Sequence, residues 1–336
     1  MIYKSYQSNI TRKRIFLLSI PVFFSNIAIP LVGLVDIGLM GNLGEAKYLA
    51  AISVATSVMT LIIWSFGFLR MGTVGIIAQL YGKSDYREIA RTIIRNILIA
   101  IFVSVIIIFI KPIILEFVKK YFLVSTETYE LIKTYISVRV LSVPAELIIY
   151  ILIGFFLGIQ RTKISSFFII IFSALNIVIS SFLVLSLDLN IFGVALGTLI
   201  SSYITVILYL TFTYQFIVKK FQIIPSFQKL IVFSKIIKLL NINLDIFIRT
   251  LFLTFSFLWI TYQGSKLGED YLAVNTILMQ FILLASFFLD AYAFSTEGII
   301  GYSIGKRNKK SFLLAVNYSI QLSFFTAIFI SIIYLI

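Results

Sequence analysis

Fourteen Asp and Glu residues must supply any proton or cation chemistry in this 336-residue chain, because it has no histidine and no cysteine. Without Cys there is no thiolate nucleophile, disulfide or Cys-ligated metal. Without His the commonest general base and zinc ligand is missing. No compact nucleophile–base pair stands out either, so an enzyme is not expected, nor a cofactor, and no metal site is assigned. Asp36 draws attention first: it follows Pro30 in an apolar run and is flanked by Gly33, Gly38 and Gly41. A carboxylate inside a bilayer costs several kcal/mol unless paired or protonated, which makes Asp36 a candidate carrier of a proton or cation. Pro30 removes one helical hydrogen bond and permits a bend beside it. The plainer reading, that Asp36 reaches water near the outer end of its helix, stays open on the residues alone.

Other polar groups fall at matching depth. Asn176 and Ser180 sit one helical turn apart, and Thr198 lies equally far into the next apolar segment. Together with Asp36 they could form one hydrogen-bonded cluster. Simple helix–helix bonding, worth about 0.6 kcal/mol on average, explains Asn176 and Thr198 as well. Asp290 and Glu297 are seven residues apart, hence two turns apart on one helical face. Asp290 is the better candidate for facing a cavity. For Glu297, capping or pairing with Lys306 or Arg307 is an even alternative. Glu146 is spaced to pair with Arg139, and Arg70 is read as a structural ion-pair partner. Gly82-Lys83-Ser84 is only superficially a Walker A ending, because position 77 is Ile and no strand precedes it. It reads as a basic turn, so a gradient-driven mechanism is expected in place of ATP hydrolysis.

The elements that must hold these residues are membrane helices. Apolar residues make up 60% of the chain and charged residues 12%, and mean hydropathy is +1.06. Such a composition excludes a soluble globular domain and a disordered chain. The fold class is an all-α integral membrane protein, a polytopic helical bundle; strand-type alternation is absent, which argues against a β-barrel. Nine apolar segments are long enough to cross about 30 Å of hydrocarbon. They run over 15–41, 48–77, 89–117, 131–157, 164–187, 191–217, 240–262, 271–296 and 312–336. Basic residues crowd alternate connections, nineteen on the amino-terminal side against six on the other. That asymmetry predicts a cytoplasmic amino terminus. It also explains the +14 net charge without a nucleic-acid partner. The first segment is kept as a transmembrane helix, too long for a signal peptide. Phe and Tyr number 33 and 18. A Phe-lined cavity could hold flat cations, but lipid-facing Phe and interfacial Tyr explain the count more simply.

The chain also repeats itself. Leu43-Gly44-Glu45 returns as Leu267-Gly268-Glu269, Tyr48-Leu49-Ala50 as Tyr271-Leu272-Ala273, Gly75-Ile76-Ile77 as Gly298-Ile299-Ile300, and Gly82-Lys83 as Gly305-Lys306. The offset is 224 residues for the first match and 223 for the others. One repeat therefore holds six spans, an even number, and both copies enter from the same side, as in parallel-repeat transporters. The expected organisation is an amino-terminal six-helix lobe over 1–222 and a partial second lobe over 223–336, about three helices. A complete second copy would end near about residue 440, so about nine of twelve expected helices are present.

Several stretches resemble the multidrug and toxic compound extrusion (MATE) family, in particular its DNA-damage-inducible F-like branch. They are Ser25-Asn26-Ile27 through Pro30 to Asp36, Gly41-Asn42-Leu43-Gly44, Phe66 to Thr73, Ala78 to Gly82, and Leu289 to Phe294 with Glu297. The resemblance implies twelve helices in two six-helix lobes around a central cavity. It implies export of drugs or organic cations by antiport with H⁺ or Na⁺, from a bacterial inner membrane, by a monomer. Asp36 matches the family's coupling carboxylate, and Asn176 and Thr198 match its polar partners. Where the family has a further Asp, this chain has Ser180, which leans the expectation toward H⁺. The alternatives are a lipid-linked oligosaccharide flippase of the same superfamily, or a nonfunctional fragment or regulatory membrane subunit.

Overall fold

A computed structural model describes residues 10–122, 125–224, 244–253, 255, 256, 259, 260, 263 and 269–335. The helices are α1 (Arg12–Gly41), α2 (Ala46–Ser65), α3 (Phe68–Gly82), α4 (Tyr86–Phe109), α5 (Lys111–Tyr121), α6 (Thr126–Arg139), α7 (Val143–Gly158), α8 (Thr162–Leu185), α9 (Asn190–Phe216), α10 (Glu269–Gly305) and α11 (Lys309–Leu335). No strand occurs among the described residues. Eight helical stretches are long and apolar enough to cross a membrane, with α2–α3 and α6–α7 each counting as one. Part of the expected segment 240–262, the Leu267-Gly268 part of the repeat and the basic residues Lys229, Lys235 and Lys238 lie outside the described residues.

Local chemistry sets where the helices start and bend. Thr11, Asp85, Ser125 and Asn308 each accept a backbone N–H from three residues downstream, covering orphan donors at helix starts. Gly67 separates α2 from α3. Pro112, in the first turn of α5, begins a new helix after Ile110, so the segment expected over 89–117 is two helices. A short 3₁₀ turn, Val140–Ser142, precedes Pro144 in α7.

Packing places α7 at the centre. The α6–α7 span is 83% buried, whereas the windows of α1, α8 and α11 are 28%, 33% and 6% buried. The outer helices expose Leu, Ile and Phe, as helices facing lipid do. Phe155, Phe156, Phe168 and Tyr209 are buried; Phe155 meets Phe156 edge-on, and Tyr209 stacks on Phe156 and on Phe168, whose ring lies 3.9 Å away. These aromatics build the core.

The sequence repeat reappears as geometry. The α2–α3 span, Ala46–Gly82, and α10, Glu269–Gly305, are both 37 residues long and are related by the 223-residue offset. Their closing turns match bond for bond. Lys83, Ser84 and Asp85 donate their amides to Gln79, Tyr81 and Leu80; Lys306, Arg307 and Asn308 donate to Tyr302, Ile304 and Ser303. Ser84 and Arg307 both take left-handed backbone angles, at φ 58° and 55°.

Candidate functional site

Asp36 lies six residues beyond Pro30 on α1, the helix that packs along α8 and α10. Its side chain is buried, with the residue 5% exposed, so the structure places it away from the surface. Its Oδ1 is fully enclosed and accepts no hydrogen bond from any described residue. An enclosed carboxylate oxygen without a donor is costly, and a bound proton or cation relieves that cost. The Arg139 guanidinium is within electrostatic reach of Asp36 but is bonded elsewhere. It pairs with Glu146, and Ser142 donates to the same carboxylate at 2.7 Å. The i, i+7 pairing read from the sequence is therefore present, bridging α6 and α7 across the 3₁₀ turn.

Beside α1, the polar residues of α8 and α9 do meet. Asn176 donates from Nδ2 to Thr198 Oγ1 at 2.9 Å, and Ser180 donates to Asn176 Oδ1 at 3.4 Å. Thr198 in turn donates to the Val194 carbonyl at 3.2 Å. All three residues are buried. What brings the helices so close is Gly197: a Cβ there would sit 2.8 Å from Ser180 Cα and 2.8 Å from its amide nitrogen. Gly193, one turn earlier, is also tight, with a would-be Cβ 3.2 Å from a Val184 methyl. The Gly193-xxx-Gly197 spacing in an apolar helix was the available signal for this contact. Asp36 itself hydrogen-bonds to none of the three. The structure thus joins Asn176, Ser180 and Thr198 and leaves Asp36 unbonded.

The second pair of acids sits apart from this cluster. Asp290 and Glu297 lie on α10, which continues to Gly305, so Glu297 is inside the helix and does not act as an end cap. Neither forms an ion pair with a described side chain, and the expected alternative of pairing with Lys306 or Arg307 is not realised. Arg70 on α3 lies within electrostatic reach of both but stacks on Phe294, with its guanidinium carbon 3.7 Å from the ring centroid. A second buried ion pair joins Arg95 to Glu88 at 2.6 Å, also at i, i+7. Arg95 counts among loop cations by sequence, yet it is 3% exposed inside α4. No cluster of three or more acidic residues able to hold a metal ion occurs among the described residues.

An all-helical bundle of membrane-length spans, with a lone buried carboxylate in its first helix and no nucleotide-binding turn, defines a class: a polytopic membrane protein built like a secondary transporter. Residues 21–182 and 246–336 match the family model MatE. DNA damage-inducible protein F of Escherichia coli K12 is 31% identical over 323 residues, covering 96% of this chain and 70% of that protein. Multidrug export protein MepA of Staphylococcus saprophyticus is 22% identical over 194 residues, covering 58% of this chain and 43% of that protein. Protein DETOXIFICATION 43 of Arabidopsis thaliana is 28% identical over 191 residues, 56% of this chain and 35% of that protein. Among solved structures, a MOP superfamily transporter from Pyrococcus furiosus superposes with a TM-score of 0.83 at 22% identity, over 94% of this chain and 70% of that one. A MATE structure in complex with MaD5 gives 0.85 at 21% identity, over 94% and 71%. Likeness at that identity shows the fold.

The chain belongs to the MatE family, in its DNA damage-inducible F-like branch, and is a transporter of that family.

Proposed function

We propose that this chain is a secondary antiporter that exports organic cations in exchange for H⁺ or Na⁺ entering the cell, with Asp36 as the coupling group. One observation carries the reading: a buried acid in α1 whose enclosed oxygen has no hydrogen-bond donor. Such a group gains most from taking up a cation and changes its surroundings most when it does. Neutral Asp36 no longer attracts the Arg139 charge, so α1 repacks against α8, and the six-helix lobe over 1–222 and the partial lobe over 223–336 rock between inward- and outward-facing states. The oxygens of Asn176, Ser180 and Thr198 are already engaged with one another. Among the described residues no carboxylate is hydrogen-bonded to them, which favours H⁺ over Na⁺. The protein is expected to act as a monomer in a bacterial inner membrane with its amino terminus in the cytoplasm, as the basic residues of alternate connections imply.

Efflux of a lipophilic cation from a pump-deficient strain, with the proton and sodium gradients collapsed in turn, tests the reading. Loss of export on collapsing one gradient, and in Asp36→Asn under both, supports it. Unchanged export by Asp36→Asn removes Asp36 as the coupling group. Translocation of a lipid-linked oligosaccharide in place of the cation would favour the flippase alternative. That reading has little support here, since Arg70 and Arg139, two of the three cations placed in or at the edges of spans, are held by Phe294 and Glu146, and the third, Arg249, is exposed and donates to the Met71 sulfur.

A further inference from the structure

Past the end of α4 the chain forms a helix too short to cross a membrane. α4 is 24 residues long, about 36 Å at 1.5 Å per residue, and so covers about 30 Å of hydrocarbon unaided. It ends at Phe109, and Pro112 restarts the chain as the 11-residue α5, Lys111–Tyr121. Tyr129 of α6 donates its hydroxyl to the Leu115 carbonyl at 3.5 Å, and the Lys119 ammonium lies 5.8 Å from the Tyr129 ring centroid. The middle of α5 therefore stands level with the first turn of α6. Around that turn α6 exposes Glu127, Glu130 and Lys133, and Glu127 pairs with Lys47 at 3.5 Å. Exposed charges at that density mark headgroups or water, not hydrocarbon.

At this same level α5 exposes a stripe of large apolar residues. Ile113, Phe117 and Tyr121 recur at every fourth position and are 66%, 52% and 63% exposed, and the last two rings lie 4.8 Å apart. At about 100° per residue the stripe centres about 110° round the helix from Ile114, Leu115 and Val118, which pack into the core. Glu116, Lys119 and Lys120 centre about 110° to its other side. α5 thus has three faces, one on protein, one apolar and one charged. An upright helix in water would leave the apolar face wet. A helix lying along the membrane surface gives each face the medium that suits it. The charge is one-sided as well: Lys111, Lys119 and Lys120 stand against Glu116. Neither Lys119 nor Lys120 pairs with a carboxylate among the described residues. Their ammonium groups lie over the Tyr129 and Tyr121 rings.

We propose that α5 is an in-plane membrane anchor in the leaflet opposite the two Gly-Lys turns, with Ile113, Phe117 and Tyr121 dipped below the headgroups and Lys119 and Lys120 binding phosphates of anionic phospholipid. Val118 is buried in the core and Tyr129 joins α5 to α6, the helix that ends at Arg139, so the leaflet holds that helix from its far end. The anchor stands apart from the antiporter reading and is measured without transport.

The chain has no cysteine, so Ile113→Cys, Phe117→Cys, Glu116→Cys and Glu127→Cys, all exposed positions, each carry one spin label on the full chain without background. In vesicles of phosphatidylcholine and phosphatidylglycerol, the labels at 113 and 117 should collide with oxygen, which dissolves in lipid, several-fold more than those at 116 and 127. The latter two should favour a water-soluble nickel chelate. Four labels equally open to the chelate would overturn the anchor. Labels at 113 and 117 shielded from both reagents would overturn it too, and would show a second copy covering the stripe. A fluorophore on Phe117→Cys then reads the lipid. Brominated phosphatidylglycerol should quench it at about one fifth of the mole fraction that brominated phosphatidylcholine needs, the equivalent of one lysine near the surface. Lys119→Gln with Lys120→Gln should erase that preference. Equal quenching by the two lipids in the parent, or a preference that survives the double substitution, would overturn the phosphate site.

Discussion

The two copies of the repeat share a scaffold but not a chemistry. Ala46–Gly82 and Glu269–Gly305 have the same 37-residue length and the same closing turn. Yet the first copy breaks at Gly67, where α10 runs on unbroken and carries Asp290 at the image position. Glu297 corresponds to Val74, and Asp36 corresponds by either offset to Trp259 or Ile260. Each copy therefore places its acids on a different helix and in a different setting. Asp36 is enclosed and unbonded, whereas Asp290 and Glu297 are half-buried and within reach of Arg70. Duplication supplied the packing surfaces, and divergence placed one candidate coupling group on one side only.

The sharpest way to break this asymmetry is to neutralise both sets of acids. Asp36→Asn should abolish cation-coupled efflux. The double variant Asp290→Asn with Glu297→Gln should keep coupling and raise the KM for organic cations several-fold, as initial efflux rates would show. Loss of coupling in the double variant would mean that the copies share the task. Next in size is Glu146→Ala, which leaves Arg139 buried without its carboxylate and should cost about 3–5 kcal/mol, read as a lowered melting temperature in detergent. Gly197→Ala should cost about 1–3 kcal/mol, because the new methyl must push α9 from Ser180, and it should also weaken efflux. Thr198→Val removes one interhelical bond and should cost only about 0.6 kcal/mol, with coupling retained. Gly33→Ala, where a Cβ meets nothing within 4 Å, should leave efflux unchanged despite its nearness to Asp36.

Much of the scaffold was legible because hydropathy and repetition are strong signals. Eight of the nine expected segments coincide with described membrane-length helices, and the Gly-Lys repeat marks two turns with the same hydrogen bonds. The Arg139–Glu146 pair was legible from spacing alone. The same spacing in Glu88 and Arg95 was overlooked, because a basic cluster beside a turn reads as a solvated loop. Apolar length shows where a helix can cross but not where it ends, so the run of α10 past residue 296 was missed. That extension is set by Gly298, Gly301 and Gly305 packing against α7 and α3, contacts made with residues far away in sequence. The closeness of α8 and α9 at Gly197 has a signal in the Gly193-xxx-Gly197 spacing, but that spacing does not say which helix it meets.

Cation entry measured during substrate export tests the central claim most directly. In proteoliposomes carrying a pH-sensitive or sodium-sensitive dye, export of a lipophilic cation by the parent chain should be matched by uptake of one coupling ion. Asp36→Asn should still bind the exported cation but show no matched entry. Matched entry at the parent's rate in Asp36→Asn would contradict the account.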